Sequence, residues 1–392
     1  MQIGIFTDTF YPEINGVATS CYMLQQELEK LGHQIHVFAP KCKGWENCQR
    51  GNIHYLPSLP FIGLKDRNVA LPSPVDTLGV FMQHFDVIHT NSEFVMGYFG
   101  RYIARNQHCA YVHTYHTAWE DYTYYVTHGH QEELAKDVVR KYSEWWCNHF
   151  DRVITPSGKT RELLRQYGVS APMDVIPSGM DIERFSPDRH PSDMIETIRQ
   201  ECGVKPGERV LLNVGRIAKE KNIDQIIRVF PKVNQRFPDV RFVIIGEGPM
   251  KEELQRKAET MECGHMISFT GPKPWEKIDQ YYAIGDVFCS CSHSETQGLT
   301  YVEAMASGVC VCAVKDPCLD GVIEDGVNGI LSGDSDEELI EALSRAFGEE
   351  GKRISQISAE SAKPFGKEAF ARKVLACYEN AIRDHETRKE EE

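Results

Sequence analysis

From end to end the chain repeats one pattern: a short apolar, β-branched run, a turn, then an amphipathic stretch with helical spacing. Strands followed by covering helices pair in parallel with the next such strand, because the helix returns the chain to the starting edge. In the first half the runs fall at 2–6, 34–39, 53–56, 86–89, 110–113, 152–155 and 173–176, and in the second at 209–214, 241–245, 267–270, 286–291 and 309–313. The fold class is therefore α/β, with parallel sheets covered by helices. At ~100–200 residues per domain, a chain of 392 residues is expected to form two. A turn at Val175–Asp181 and the polar, Pro-rich Phe185–Pro191 mark the break. The expected division is 1–185, then 186–370, then a closing helix and tail over 371–392. The last amphipathic helix is expected at about 367–383, with the charged tail from Glu386 frayed.

Composition removes some functions. A net charge of −14 argues against nucleic acid as a partner, which needs clustered Lys and Arg. Residues 1–190 carry −4 of that charge and the rest −10, so the first half is better suited to meet an anionic surface. Thirteen cysteines show no Cys-x-x-Cys spacing; Cys289/Cys291 and Cys310/Cys312 read as small apolar residues sharing a sheet face. That usage fits a reducing cytoplasm. Neither a signal peptide nor a spanning helix is expected, since no apolar run approaches ~18 residues.

The second half holds two chemical motifs. After the strand Arg209–Val214 comes Gly215-Arg216-Ile217-Ala218-Lys219-Glu220-Lys221-Asn222. An Arg and a Lys five apart, at the carboxyl end of a strand in an open sheet, are placed to neutralise a diphosphate. Further on, Glu295 and Glu303 bracket a Gly-containing turn. Backbone N–H groups of Gly298, Leu299 and Thr300 at a helix start attract phosphate oxygens, and a carboxylate on either side suits sugar hydroxyls. Strand-Gly246-x-Gly248 lacks the third glycine of a dinucleotide fingerprint, where Lys251 stands, so a dehydrogenase is disfavoured. Asp334-Ser335-Asp336 reads as an acidic helix cap rather than a metal site. In the first half, Met1–Phe6 leads through a loop to Gly16, which opens a helix and permits close backbone approach to an anion. Val112-His113-Thr114-Tyr115-His116-Thr117-Ala118-Trp119 puts histidines and aromatics at a strand's carboxyl end, with His113 reading as packing.

These segments resemble the retaining glycosyltransferases of glycosyltransferase family 4, which carry a Gly-Arg…Glu-Lys-Asn segment and a Glu-x7-Glu motif in the same order. The resemblance implies a GT-B architecture: two Rossmann-like, doubly wound parallel-sheet domains facing across a cleft, with the final helix crossing back to the first. It implies that Arg216 and Lys221 bind the donor diphosphate with Gly16, that Glu295 contacts the donor sugar, and that Glu303 holds the ribose. Gly215, Gly246, Gly248, Gln297, Gly298, Leu299 and Thr300 would complete the donor site, and His116 matches an active-site histidine. Arg216, Lys221, Glu295 and His116 are the catalytic candidates. No metal and no cofactor would be required; the donor would be a nucleotide sugar, a UDP-hexose.

Among family members the chain is most similar to the diacylglycerol 3-glucosyltransferases (monoglucosyldiacylglycerol synthases), through its Phe-Thr-Asp-Thr-Phe-Tyr-Pro start and its His-Thr-Tyr-His-Thr run. It departs from them after Tyr122 and in its acidity. The implied activity is transfer of glucose from UDP-glucose to 1,2-diacylglycerol, at the cytoplasmic face of a membrane. Phe61, Ile62, Leu64, Lys65 and Arg67 would form a membrane plug, and the helix within Gln131–Phe150 a basic and aromatic face. Tyr115, Trp119, Trp145 and Trp146 would lie on the acceptor side. A soluble sugar or polyol acceptor shares every donor motif; an epimerase or a non-catalytic sugar-nucleotide-binding module stands as another class.

Overall fold

The computed structural model describes residues 1–13, 15–48, 51–60, 68–116 and 132–391. The chain forms two compact units, Met1–Met180 with Lys367–Glu392, and Asp181–Gly366.

In the first unit seven parallel strands run β1 (Gln2–Phe6), β2 (Gln34–Pro40), β3 (Ile53–Leu56), β6 (Val87–Thr90), β7 (Ala110–Thr114), β8 (Arg152–Thr155) and β9 (Met173–Val175), in spatial order β3-β2-β1-β6-β7-β8-β9. A small antiparallel pair, β4 (Ser58–Pro60) and β5 (Asn68–Ala70), is separate; three residues per strand, with Pro60 at an end, leave no pattern in the sequence. The sheet is buried on both sides, as the unbroken apolar runs require. Ile3 and Ile5 face a cluster with Leu24 and Leu28 of α1 (Gly16–Lys30), while Phe6 faces the other way, with Phe38, Phe99 and Ile103. On that second side lie α2 (Pro74–Phe81), α3 (Val95–Gln107) and α4 (Glu132–Cys147), followed in the chain by α5 (Gly158–Gln166).

The second unit has six parallel strands, β10 (Arg209–Val214), β11 (Val240–Ile245), β12 (Ile267–Gly271), β13 (Val287–Ser290), β14 (Cys310–Val314) and β15 (Ile330–Ser332), in order β12-β11-β10-β13-β14-β15. Its helices are α6 (Ser192–Glu201), α7 (Ile223–Arg236), α8 (Lys251–Glu259), α9 (Ile278–Tyr282), α10 (Leu299–Ala306), α11 (Asp336–Ala346) and α12 (Glu349–Ala362). Cys289, Cys291, Cys310 and Cys312 are fully buried in the core, with Cys289 and Cys312 paired in register across β13 and β14. The capping position before α11 belongs to Ser335, which forms a capping box with Glu338, while Asp336 is gripped by Arg228 at 2.6 and 2.7 Å.

The last helix, α13 (Lys367–Glu391), belongs to the first unit, where Phe370, Val374 and Tyr378 join the cluster around α1. The tail expected to fray is instead helical through Glu391. Arg388 pairs with Asp151 at 2.5 Å and the Lys389 ammonium donates to the His108 carbonyl, contacts between residues far apart in sequence.

Both sheets reverse their strand order beside a central strand: β1 lies between β2 and β6, and β10 between β11 and β13. In open parallel sheets the carboxyl ends flanking such a reversal form the crevice where ligands bind.

Candidate functional site

In the second unit the loops leaving β10 and β13 flank that crevice. From β10 the chain passes through Gly215, Arg216 and the buried Ile217 and Ala218 into a short 3-10 turn, Lys219–Lys221. Asn222 ends the turn in the left-handed region, at φ 49°, and α7 begins. Burying Ile217 and Ala218 leaves Arg216 and Lys221 on the outer side of the loop. Arg216 is about half exposed, with Glu220 at 3.8 Å, and Lys221 is partly exposed. The loop from β13 brings Glu295 to the Lys221 ammonium, Nζ to Oε1 2.5 Å, across 74 residues of sequence.

Two glycines of the neighbouring loop explain why this corner is so tight. Gly246 has φ 150°, and a Cβ there would stand 1.8 Å from the Gly215 carbonyl oxygen; a Cβ on Gly248 would stand 2.2 Å from that of Ile217. Ile217 donates to the Glu247 carbonyl and Met250 to that of Ile217. Gly246 and Gly248 therefore have a packing role that the sequence does not reveal.

After Glu295, Gly298 caps α10 at φ 73°, where a Cβ would meet the Tyr301 ring at 2.4 Å. The helix starts at Leu299, so the amides of Leu299 and Thr300 fall in the first turn, without intrahelical acceptors. Gln297 is buried beside them. Glu303 lies one turn in and is 6% exposed; its Oε2 accepts from the Tyr282 hydroxyl at 2.6 Å. Burial raises its ionisation above the ordinary value of 4.5, against the pull of the Tyr282 hydrogen bond and the Arg184 charge. Tyr282 was not foreseen, since nothing local in Tyr281-Tyr282 marks it.

A raised carboxyl favours its neutral form in the fold. Its contribution to stability is complete below the unfolded value and fades as pH rises through the folded one. Glu303→Gln keeps an oxygen for Tyr282 and carries no charge. It is expected to melt higher than the wild type at about pH 8 and to lose that advantage as pH falls toward 4.5. A lower melting temperature for the variant at about pH 8 would contradict this assignment of charge.

The first unit has its own cluster at the ends of β1, β6 and β7. Asn15 caps α1, its Oδ1 accepting from the Ala18 amide at 3.0 Å, and Gly16 is exposed at the helix start. A Cβ on Gly16 would meet nothing within 4 Å, so packing does not require glycine there. His116 follows β7, with Nε2 2.9 Å from Asn91 Oδ1. Burial, helped by His113 nearby, lowers its pKa to about 3. His113 is buried in the packing position expected of it, hydrogen-bonded to Thr90.

Two acceptor-side assignments are corrected. Tyr115 is fully buried, its hydroxyl 3.1 Å from Ser143 Oγ, because strand alternation past β7 keeps it on the face of Tyr111 and His113. Trp146 is fully buried too, edge-on to His113 at 5.9 Å. Adjacent helical residues point about 100° apart, so of the two tryptophans only Trp145 reaches the surface, 44% exposed with the Arg101 guanidinium 5.1 Å from its ring. Phe61, Ile62, Leu64, Lys65, Arg67 and Trp119 lie outside the described residues.

Comparison with known proteins then decides the family. Residues 14–184 match the model for Glycosyltransferase Family 4, and 194–371 that for glycosyl transferases group 1. The chain is 31% identical over 389 residues, 97% of its length and 98% of the relative's, to the alpha-monoglucosyldiacylglycerol synthase of Acholeplasma laidlawii. It is a member of glycosyltransferase family 4. To the Streptococcus pneumoniae protein of the same name this family 4 enzyme is 37% identical over 334 residues, 84% of its length and 75% of the relative's. Its fold is that of Anabaena HepE, solved in complex with UDP, with a TM-score of 0.73 at 18% identity over 96% of this chain and 99% of that one. Sucrose-phosphate synthase from Thermosynechococcus elongatus gives 0.69 at 17%, over 97% and 99%. The architecture of this glycosyltransferase is GT-B.

Proposed function

We propose that this glycosyltransferase moves glucose from UDP-glucose to the free hydroxyl of 1,2-diacylglycerol, with retention at the anomeric carbon. The observation that carries the donor side is the meeting of Lys221 and Glu295, beside Arg216, at the strand-order reversal of the second unit. Arg216 and Lys221 take the diphosphate and stabilise the charge that grows on it as the glycosidic bond breaks. Glu295, released from Lys221 in part or shared with it, accepts from the sugar hydroxyls, and the first-turn amides of α10 meet a phosphate or sugar oxygen. Glu303 offers its second oxygen to the ribose. The acceptor oxygen forms the new bond to the anomeric carbon on the face that UDP leaves, and its proton passes to the departing phosphate oxygen.

The acceptor reading draws on the names of the two synthases and on the surface of the first unit. On α2 and the residue that follows it, Val75, Leu78 and Met82 are exposed; on α3, Tyr98 and Tyr102, with Arg101 between them; on α4, Leu134, Val138 and Trp145. Apolar and aromatic residues interleaved with arginine fit an interfacial surface. No helix among the described residues is long and apolar enough to cross a membrane, so the contact we propose is peripheral, at the inner face.

The test offers radiolabelled UDP-glucose with diacylglycerol vesicles or with soluble sugars and polyols. Label is expected in the organic extract with vesicles only. Label transferred to a soluble acceptor, with none in the lipid, would overturn the lipid assignment.

A further inference from the structure

Asn91 sits just beyond β6, where Thr90 and His113 pair in register with the neighbouring strand, and is 5% exposed. Its side chain has one oxygen and one nitrogen, and the structure uses only the oxygen, 2.9 Å from His116 Nε2. Among the described residues, Asn91 Nδ2 is buried with no hydrogen-bond partner, as is the hydroxyl of the next residue, Ser92, which is 8% exposed. An unmet buried donor is costly, so such a pair persists where a ligand or water supplies the missing acceptor.

The amide oxygen can only accept, so the ring nitrogen facing it carries the hydrogen. With burial holding the imidazole neutral, the other nitrogen, Nδ1, keeps its lone pair. We propose that Asn91 is a positioning residue: its oxygen locks His116 as the Nε2–H tautomer, leaving Nδ1 to accept a hydrogen bond from a hydroxyl of the bound substrate other than the attacking one, while its Nδ2–H donates to a substrate oxygen. This rests on the reading of His116 as a catalytic residue. It adds a residue that no sequence motif marks, fixed by the register of β6 against β7.

Isotope-edited NMR of the histidine ring nitrogens in the full-length protein is the first test, and it requires no variant. His116 is expected as a single Nε2–H tautomer; an Nδ1–H ring would overturn the proposal. Asn91→Leu, close in shape but without polar atoms, is expected to mix the tautomers and to lower kcat about 10²-fold. UDP affinity measured by calorimetry should stay within about twofold, since the donor groups are elsewhere. Asn91→Asp keeps an acceptor oxygen and should restore the Nε2–H tautomer and part of the lost turnover. Wild-type kcat in Asn91→Leu, or no rescue by Asn91→Asp in a folded protein, would refute the role. Wild-type turnover in His116→Ala would instead sink the catalytic reading of His116 while leaving the tautomer result standing, so the two failures are distinguishable.

Discussion

Arg216→Ala and Lys221→Ala are each expected to lower the rate of sugar transfer by about 10²–10³-fold, the usual cost of removing one charge-stabilising donor from a transition state. The loss should fall on kcat as well as on donor binding, because the negative charge on the phosphate grows as the bond to the sugar breaks. Arg216 is half exposed and its contact with Glu220 is 3.8 Å long, so its removal should barely change melting. Arg216→Lys should rescue only in part, since an ammonium cannot fork two phosphate oxygens. For Lys221 the expectation has a second side. Glu295 loses a partner 2.5 Å away, and an unneutralised carboxylate beside the diphosphate repels it, so Lys221→Ala should bind UDP more weakly than Arg216→Ala does. Calorimetry with UDP and steady-state transfer assays on both variants check this; near-normal activity in both refutes the diphosphate assignment.

The second large effect is on folding. Gly246→Ala puts a methyl group 1.8 Å from the Gly215 carbonyl oxygen, at a φ of 150° that alanine rarely adopts. The loops after β10 and β11 must then separate, breaking the bonds from Ile217 to Glu247 and from Met250 to Ile217. A cost of about 3 kcal/mol is expected from the backbone strain and overpacking, which lowers the melting temperature of a domain this size by roughly 6–12 °C. Gly16→Ala is the matched control, since a Cβ there meets nothing within 4 Å, and its melting should equal the wild type's. A Gly246→Ala protein that melts with the wild type would show that the two loops do not need their close approach.

How much of this was legible in the sequence depends on the range of the interaction. Arg216 and Lys221 stand out because one loop carries both, directly after an apolar run whose burial is unmistakable. The strand positions follow for the same local reason, within a residue or so at most ends, whereas β15 and the β4/β5 pair escape. The partners of the acidic residues are another matter. Lys221 meets Glu295 because parallel strands bring distant loops together, and Tyr282 meets Glu303 because α9 lies beside α10; no spacing encodes either. Tyr115 and Trp146 are placed on the acceptor side by their chemistry beside a motif; strand alternation and the helical period of α4 bury both. The tail misleads in the opposite direction. A run of charges reads as frayed, but Arg388 and Lys389 find acceptors on residues more than two hundred positions earlier.

A crystal structure of the full-length protein with UDP decides whether the β10 and β13 loops of the second unit form the diphosphate site. Phosphate oxygens are expected at about 3 Å from both the Arg216 guanidinium and the Lys221 ammonium, with the ribose hydroxyls toward Glu303. UDP bound elsewhere, with Arg216 and Lys221 left in solvent, would contradict it.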